Sequence, residues 1–252
     1  MTRQVLLNNI DHAALKVAPR FGADFGDAVN QLPVFPTEFE ALQREFAIFF
    51  RRDEEDQLQA VVLLGLDRQE NLYLGSEGWR TRSVPAIQRR GPFSISLSQR
   101  ANDPDGRPAP MIHVDLDDPR VGDAEGHALF LPQGGNAPYL NEITDVLRTI
   151  YEGLELSRPM YAAYDALALV QPVAVEIALG EGRTYTLPNY HAVSAERLSS
   201  LDGAALESLH HAGFLAPAIF ALSSLANVQR LIELKNRKLS GATDGPVAGA
   251  GA

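Results

Sequence analysis

Ala47-Ile48-Phe49-Phe50-Arg51-Arg52, then Asp53-Glu54-Glu55-Asp56, then Gln59 to Leu66 with Val61-Val62-Leu63-Leu64 at its centre: this run decides the fold. Two short, strongly apolar runs rich in β-branched and aromatic residues flank an acidic turn. The connection is too short for a helical crossover, so the two strands must pair antiparallel. Outward along the chain, Asn71-Leu72-Tyr73-Leu74-Gly75 and Gly91-Pro92-Phe93-Ser94-Ile95-Ser96-Leu97 read as further strands of a meander. Asp103-Pro104-Asp105-Gly106 is a turn, and Met111 to Leu116 returns as a strand.

From about residue 138 the apolar period changes from two to that of a helix. Tyr139-Leu140, Ile143, Val146-Leu147, Ile150-Tyr151 and Leu154 form one stripe, with Asn136 as cap; Pro159 is expected to end this helix and open a second, through Leu169. A hairpin follows, Val173 to Leu179 and Thr184 to Leu187, joined through Gly180-Glu181-Gly182. Ser194 and Asp202 read as caps of two short helices, and Pro217 to Leu239 as the last helix. Upstream, residues 1–36 carry Pro19, Gly22, Gly26, Pro33 and Pro36 and read as an extended arm. A capping box formed by Thr37 and Glu40 opens a short helix there. The expected fold is α+β. It is a single domain over 1–240, β-rich to 132 and helix-rich from 138, with a disordered Gly/Ala tail at 241–252.

With 45% hydrophobic and 8% aromatic residues, the composition is that of a globular chain. The 32 acidic and 22 basic residues give a net charge of −10. Nucleic-acid binders usually show a basic footprint, so no nucleic-acid partner is expected. Without cysteine there is no disulfide, thiolate nucleophile or zinc–thiolate site. Met1 to Asn9 offers no signal-peptide core, and no stretch is read as approaching the roughly 18 apolar residues of a membrane span. The expected location is therefore cytoplasmic. Oligomeric state is left open.

Several segments in fixed order carry a family resemblance: Phe46-Ala47-Ile48-Phe49-Phe50, Leu64-Gly65-Leu66, Asn71-Leu72-Tyr73-Leu74, Gly78-Trp79-Arg80, Val84-Pro85-Ala86 and Arg89-Arg90-Gly91-Pro92-Phe93. Asp115-Leu116-Asp117-Asp118-Pro119-Arg120 and the run Leu198 to Leu225 extend the series. Together they resemble the bacterial SapC family over roughly residues 5–238. The resemblance implies an accessory role and supplies no catalytic residues. The family takes its name from a surface-layer locus. Relatives sit beside genes for TonB-dependent receptors, tryptophan-halogenase-like flavoproteins and cupin-like proteins, which implies surface nutrient uptake or modification of a receptor or peptide.

Read from the residues themselves, the strongest candidate site is Trp79, Arg80, Arg82, Arg89, Arg90 and Phe93. This is the densest cationic-aromatic segment of an acidic chain. Guanidinium groups hold carboxylates bidentately, and aromatic and Arg side chains dominate interface hot spots, so a peptide or protein partner is expected here with no cofactor. Its plain structural reading is a core tryptophan beside a solvated arginine face.

The alternative is an iron oxygenase in which His113 and Asp115, with His191 as third ligand, form a facial triad and Arg197 anchors a carboxylate cosubstrate. Its plain reading is a strand histidine and an Asp-rich turn. Asp115, Asp117 and Asp118 offer oxygens for calcium but lack the glycine and terminal glutamate of a binding loop. His210-His211, the alternating Ser94, Ser96 and Ser98, and Gly134-Gly135 are all expected to be structural.

Overall fold

The computed structural model describes residues 3–98, 109–179 and 183–241. The expected turn at 103–106, the Gly180-Glu181-Gly182 connection and the tail beyond 241 lie outside the described residues. The arm contributes β1 (Gln4–Leu6), β2 (Lys16–Val17) and β3 (Gln31–Pro33), and then a one-turn helix α1 (Phe39–Leu42). There follow β4 (Ala47–Arg52), β5 (Leu58–Leu63), the two-residue strands β6 (Leu74–Gly75) and β7 (Gly78–Trp79), and the short helix α2 (Ala86–Arg89). Next come β8 (Phe93–Ser98), β9 (Ala109–Asp115), β10 (His127–Ala128) and the long helix α3 (Pro138–Ala166). The chain continues through β11 (Val170–Ala178), β12 (Thr184–Val193), α4 (Ala195–Ser199), α5 (Gly203–His211), α6 (Leu215–Ser224) and α7 (Val228–Leu239).

The fold is α+β, and every strand pair among the described residues is antiparallel. The strands do not form one meander. They divide into a five-stranded sheet in the order β11-β12-β4-β5-β3, a three-stranded sheet β1-β9-β8, and two two-stranded ribbons. The C-terminal hairpin is thus no satellite, because β12 lies beside β4 through His191 opposite Phe50. The expected strand 71–75 shrinks to its last two residues. Asn71 folds back instead, its Oδ1 accepting from the Tyr73 amide at 3.0 Å, an Asx-type turn that competes with a ladder.

The two sheets have separate cores, and α3 covers both. Its first half sends Leu140, Ile143 and Leu147 against Val17, Phe93, Val114 and Leu129. Its second half sends Met160, Tyr161 and Tyr164 into the larger core, built on Phe39, Phe46, Ile48, Phe50 and Val62. At 29 residues the helix is about 43 Å long, enough to span both sheets. Pro159 does not interrupt it. Both Pro159 and Glu155, whose carbonyl loses its amide partner, lie on the exposed face of the helix. The buried stripe on either side carries the helix through. Its N-cap is Ala137 followed by Pro138, not Asn136.

The arm's capping box is shifted from its expected place. Glu38 Oε1 accepts from the Phe35 amide at 3.0 Å, and Thr37 Oγ1 instead donates to the Thr149 carbonyl at 2.8 Å. Ser194 and Asp202 do cap: their side chains accept from the Arg197 and Ala205 amides at 3.2 and 2.8 Å. Helices α6 and α7 run almost continuously over Leu215–Leu239, with mean hydropathy 1.3 in the most apolar window. That is long and apolar enough to cross a membrane, closer to a span than the sequence reading allows. Here its inner face packs on the larger sheet. Ser224 Oγ accepts from the Ile48 amide at 2.9 Å, and Asn227 Nδ2 donates to the Gln43 and Phe46 carbonyls at 2.7 and 3.0 Å.

Candidate functional site

The segment from Trp79 to Phe93 is a strap that crosses from one core to the other. Trp79 packs edge-on against Phe46 at 6.2 Å between ring centroids, on the rim of the larger core. Ala86 lies with Phe35, Val146 and Ile150 in a small cluster between the two. Phe93 has no exposed surface and sits in the smaller core, edge-on to Tyr139 at 6.3 Å.

Three acidic side chains hold this strap from beneath. Asp27, 1% exposed, accepts at Oδ1 from the Trp79 indole at 2.9 Å and at Oδ2 from the Gly22 amide at 2.6 Å. Glu45 Oε2 accepts from the Arg82 and Ser83 amides at 2.9 and 3.0 Å. Glu38 Oε2 accepts from the Ala86 amide at 2.8 Å. Burial pushes the Glu38 carboxyl up to about 7, against the pull of its bonds to the Ala86 and Phe35 amides and of nearby Arg89. Two of the three carboxylates are thus spent on strap backbone and one on the indole. Arg82 and Arg89 themselves are exposed.

The four arginines fall into different environments. Arg80, Arg82 and Arg89 are exposed, and Arg80 Nη2 donates to the Leu74 carbonyl at 3.2 Å. Arg90 is half-buried, and its Nη1 donates to the Phe93 carbonyl at 2.8 Å. Its Nε is enclosed without a hydrogen-bond partner among the described residues. Burial, and then the neighbouring Arg120 guanidinium, lower its affinity for the proton. Of the six candidates, Arg80, Arg82 and Arg89 are exposed, with Arg80 turned back on the Leu74 carbonyl; Trp79 and Arg90 shape the strap, and Phe93 is internal.

Arg89 also opens on a cavity of about 200 Å³ between the arm, the α2–β8 turn and the start of α3. Arg20, Arg120, Phe21, Tyr139 and Glu142 are among its other walls. Arg20 carries no signal in the sequence, and Arg120 enters there only as the end of the Asp115–Arg120 stretch. They lie far from the strap along the chain, and only the pairing of β2 with β10 and the 115–121 turn bring them to it.

Among the described residues, the iron alternative finds no three-ligand site. His113 lies in β9 of the smaller sheet, opposite Leu6 and Ser94, and His191 lies in β12 of the larger one. Asp115 Oδ1 is taken by the Arg3 and Asp117 amides at 3.0 and 3.1 Å. No group of three His, Cys, Asp or Glu side chains able to hold a metal occurs among the described residues. Arg197 donates through Nε to the Leu167 carbonyl at 2.8 Å, tying α4 to the end of α3. In the Asp-rich turn Asp118 is paired bidentately with Arg120 at 2.9 and 2.7 Å, which leaves no open oxygen cage.

The SapC family model matches residues 7–231. The chain belongs to the SapC family. No curated protein and no solved structure matches it. In this SapC protein the matched region takes in the strap, the cavity walls and every strand but β1, and extends into α7.

Proposed function

We propose that this SapC protein is a cytoplasmic accessory protein that binds an acidic peptide or protein partner at the face carrying Arg82 and Arg89. The observation supporting it is the fixing of the strap by Asp27, Glu45 and Glu38, which tether its backbone and indole and leave the two outward guanidiniums without a hydrogen bond or ion pair among the described residues. A rigid backbone lowers the entropy lost when a partner docks. A positive patch on a chain of net charge −10 steers an acidic partner and fixes its register. In the setting that family membership implies, that partner belongs to a surface-uptake or modification system.

The test is a pull-down from native lysate with wild type and the Arg82→Ala/Arg89→Ala double variant, at low and high salt, beside melting curves. The expected outcome is a partner captured by wild type, released as salt rises, and lost from a variant that melts within about 1 °C of wild type, as surface changes do. A variant that keeps every partner of wild type overturns the reading.

A further inference from the structure

We propose that the cavity beside the strap is an anchor pocket for a small apolar monocarboxylate, such as the C-terminal residue of a peptide; the inference rests on the partner-binding reading, since Arg89 belongs to both surfaces.

Three guanidiniums from three distant segments meet there: Arg20 from the arm, Arg89 from α2 and Arg120 from the turn after β9. They are held to different degrees. The Arg120 side chain is only 11% exposed and is clamped by Asp118 through Nε and Nη2. Its plane lies over Phe25, 5.4 Å from the ring centroid. That leaves Nη1, which neighbours Gly91 at the cavity wall; a side chain there would begin only 3.7 Å from it. Gly91 has φ +55°, a backbone state that itself favours glycine, and it sets the turn beside this edge of the guanidinium. Arg20 is paired with Asp123 at 2.6 Å yet half exposed. Arg89 has no hydrogen bond or ion pair to its guanidinium among the described residues, though it is close enough for its charge to act on Glu38.

The cavity therefore offers one free and two partly compensated guanidiniums, backed by half-buried Arg90. Arg90 and Arg120 repel one another, and an anion relieves that repulsion. The ligand's size and character follow from the remaining walls. Phe21, Pro92, Ile143 and Val146 are apolar, and about 200 Å³ admits a single side chain, not a nucleotide. Glu142 on the wall disfavours a dianion. One negative charge on an apolar body satisfies all three conditions, whereas a phosphate satisfies only the first.

The experiment titrates the whole chain by protein-observed NMR with four probes: N-acetyl-leucine, 4-methylpentanoate, the uncharged N-acetyl-leucinamide and inorganic phosphate. The two carboxylates are expected to shift Arg89, Gly91 and Tyr139 resonances saturably, and the amide and phosphate to bind at least tenfold more weakly. Arg89→Gln is expected to weaken the carboxylates about tenfold, as for loss of a charge-assisted pair. Arg82→Ala, outside the cavity, leaves them unchanged. Tighter binding of N-acetyl-leucine assigns the site to a peptide terminus, and tighter binding of 4-methylpentanoate to a free acid. The proposal is overturned if no carboxylate saturates below about 10 mM, weaker than an ordinary fragment. It is also overturned if phosphate or the amide binds equally well. The two readings fail separately. Carboxylate binding without a captured partner overturns the partner reading alone, and a captured partner without carboxylate binding overturns the pocket alone.

Discussion

Gly153 shows how much one missing methyl decides. It is buried in α3 against the arm, where an added Cβ would lie 2.4 Å from Phe35 Cβ and 2.7 Å from Thr37 Oγ1. Both neighbours are fixed, Phe35 by the hydrogen bond from its amide to the Glu38 carboxylate and Thr37 by its hydrogen bond to the Thr149 carbonyl in the same helix. Neither can yield without breaking a hydrogen bond. Gly153→Ala gains helix propensity of about 1 kcal/mol on an open helix surface. Here overpacking of about 1–3 kcal/mol wins, and the variant is expected to melt several degrees lower. A variant as stable as wild type would mean that the arm does not hold α3 this closely. No sequence pattern marks that glycine, because its constraint comes from a segment more than a hundred residues away. Ser194 and Asp202, by contrast, were legible as caps, since a cap acts only on amides three positions on.

Among the elements, α7 shows a balance that periodicity cannot reveal. Its Lys235 is 2% exposed and donates to Asp67 Oδ2 at 2.5 Å and Glu70 Oε1 at 2.7 Å; Lys238 reaches the same Glu70 oxygen at 2.8 Å. Glu70 Oε2 meanwhile accepts from the Leu66 and Asp67 amides at 3.0 and 3.3 Å. Burial alone would raise the Glu70 carboxyl, but the two lysines and two amides outweigh it and bring it down to about 2. In sequence, Lys235 and Lys238 suit the negative end of a helix dipole. In the fold, Lys235 instead docks α7 on the loop after β5. Lys235→Ala should cost about 1–3 kcal/mol, short of the roughly 3–5 kcal/mol of a stranded buried charge, because Lys238 and two amides still hold Glu70. Lys235→Met with Glu70→Gln should cost less than the sum of the single changes. A denaturant-based double-mutant cycle checks this, and additive costs would mean that the two side chains do not act as a pair. Secondary structure was legible wherever one period ran unbroken, as in β4, β5 and the buried stripe of α3. It was misread at Pro159, where tertiary burial overrides a local breaker, and at Asn71, where a side-chain bond replaces a ladder. How the strands divide between two sheets was not legible, since adjacent β7 and β8 join different sheets and only tertiary pairing decides that. Of the candidate site, the arginine cluster was visible as composition. Arg20 and Arg120 were hidden by sequence separation.

For the whole molecule, two buried glutamates with opposite perturbations set the dependence of stability on pH. Glu38 titrates at about 7 when folded and near 4.5 when unfolded. Between those values the folded chain binds more protons, so stability falls as pH rises from about 4.5 to 7. Glu70 has the reverse sign. Titrating at about 2 when folded against 4.5 unfolded, it contributes stability above 4.5 that is lost as pH drops towards 2. Each window is worth at most about 3 kcal/mol, at 1.36 kcal/mol per pH unit. The overall charge of −10 acts with Glu38, because repulsion weakens as pH falls towards the pI of about 5.1. Maximum stability is therefore expected near pH 5, with melting temperature falling by several degrees between pH 5 and 7.5 and collapsing below pH 3.5. Glu38→Gln separates the two causes. It loses absolute stability, because its amide nitrogen cannot accept from the Ala86 or Phe35 amide, but without a titrating group its curve between pH 5 and 7.5 should flatten to the part due to net charge. Melting curves across that range decide the matter, and a variant with the full wild-type slope would show that Glu38 is not the group holding the extra proton. The same carboxyl anchors the strap through Ala86. Binding at the arginine face should therefore hold through the same pH window, because the deprotonated carboxyl accepts more strongly from the Ala86 and Phe35 amides.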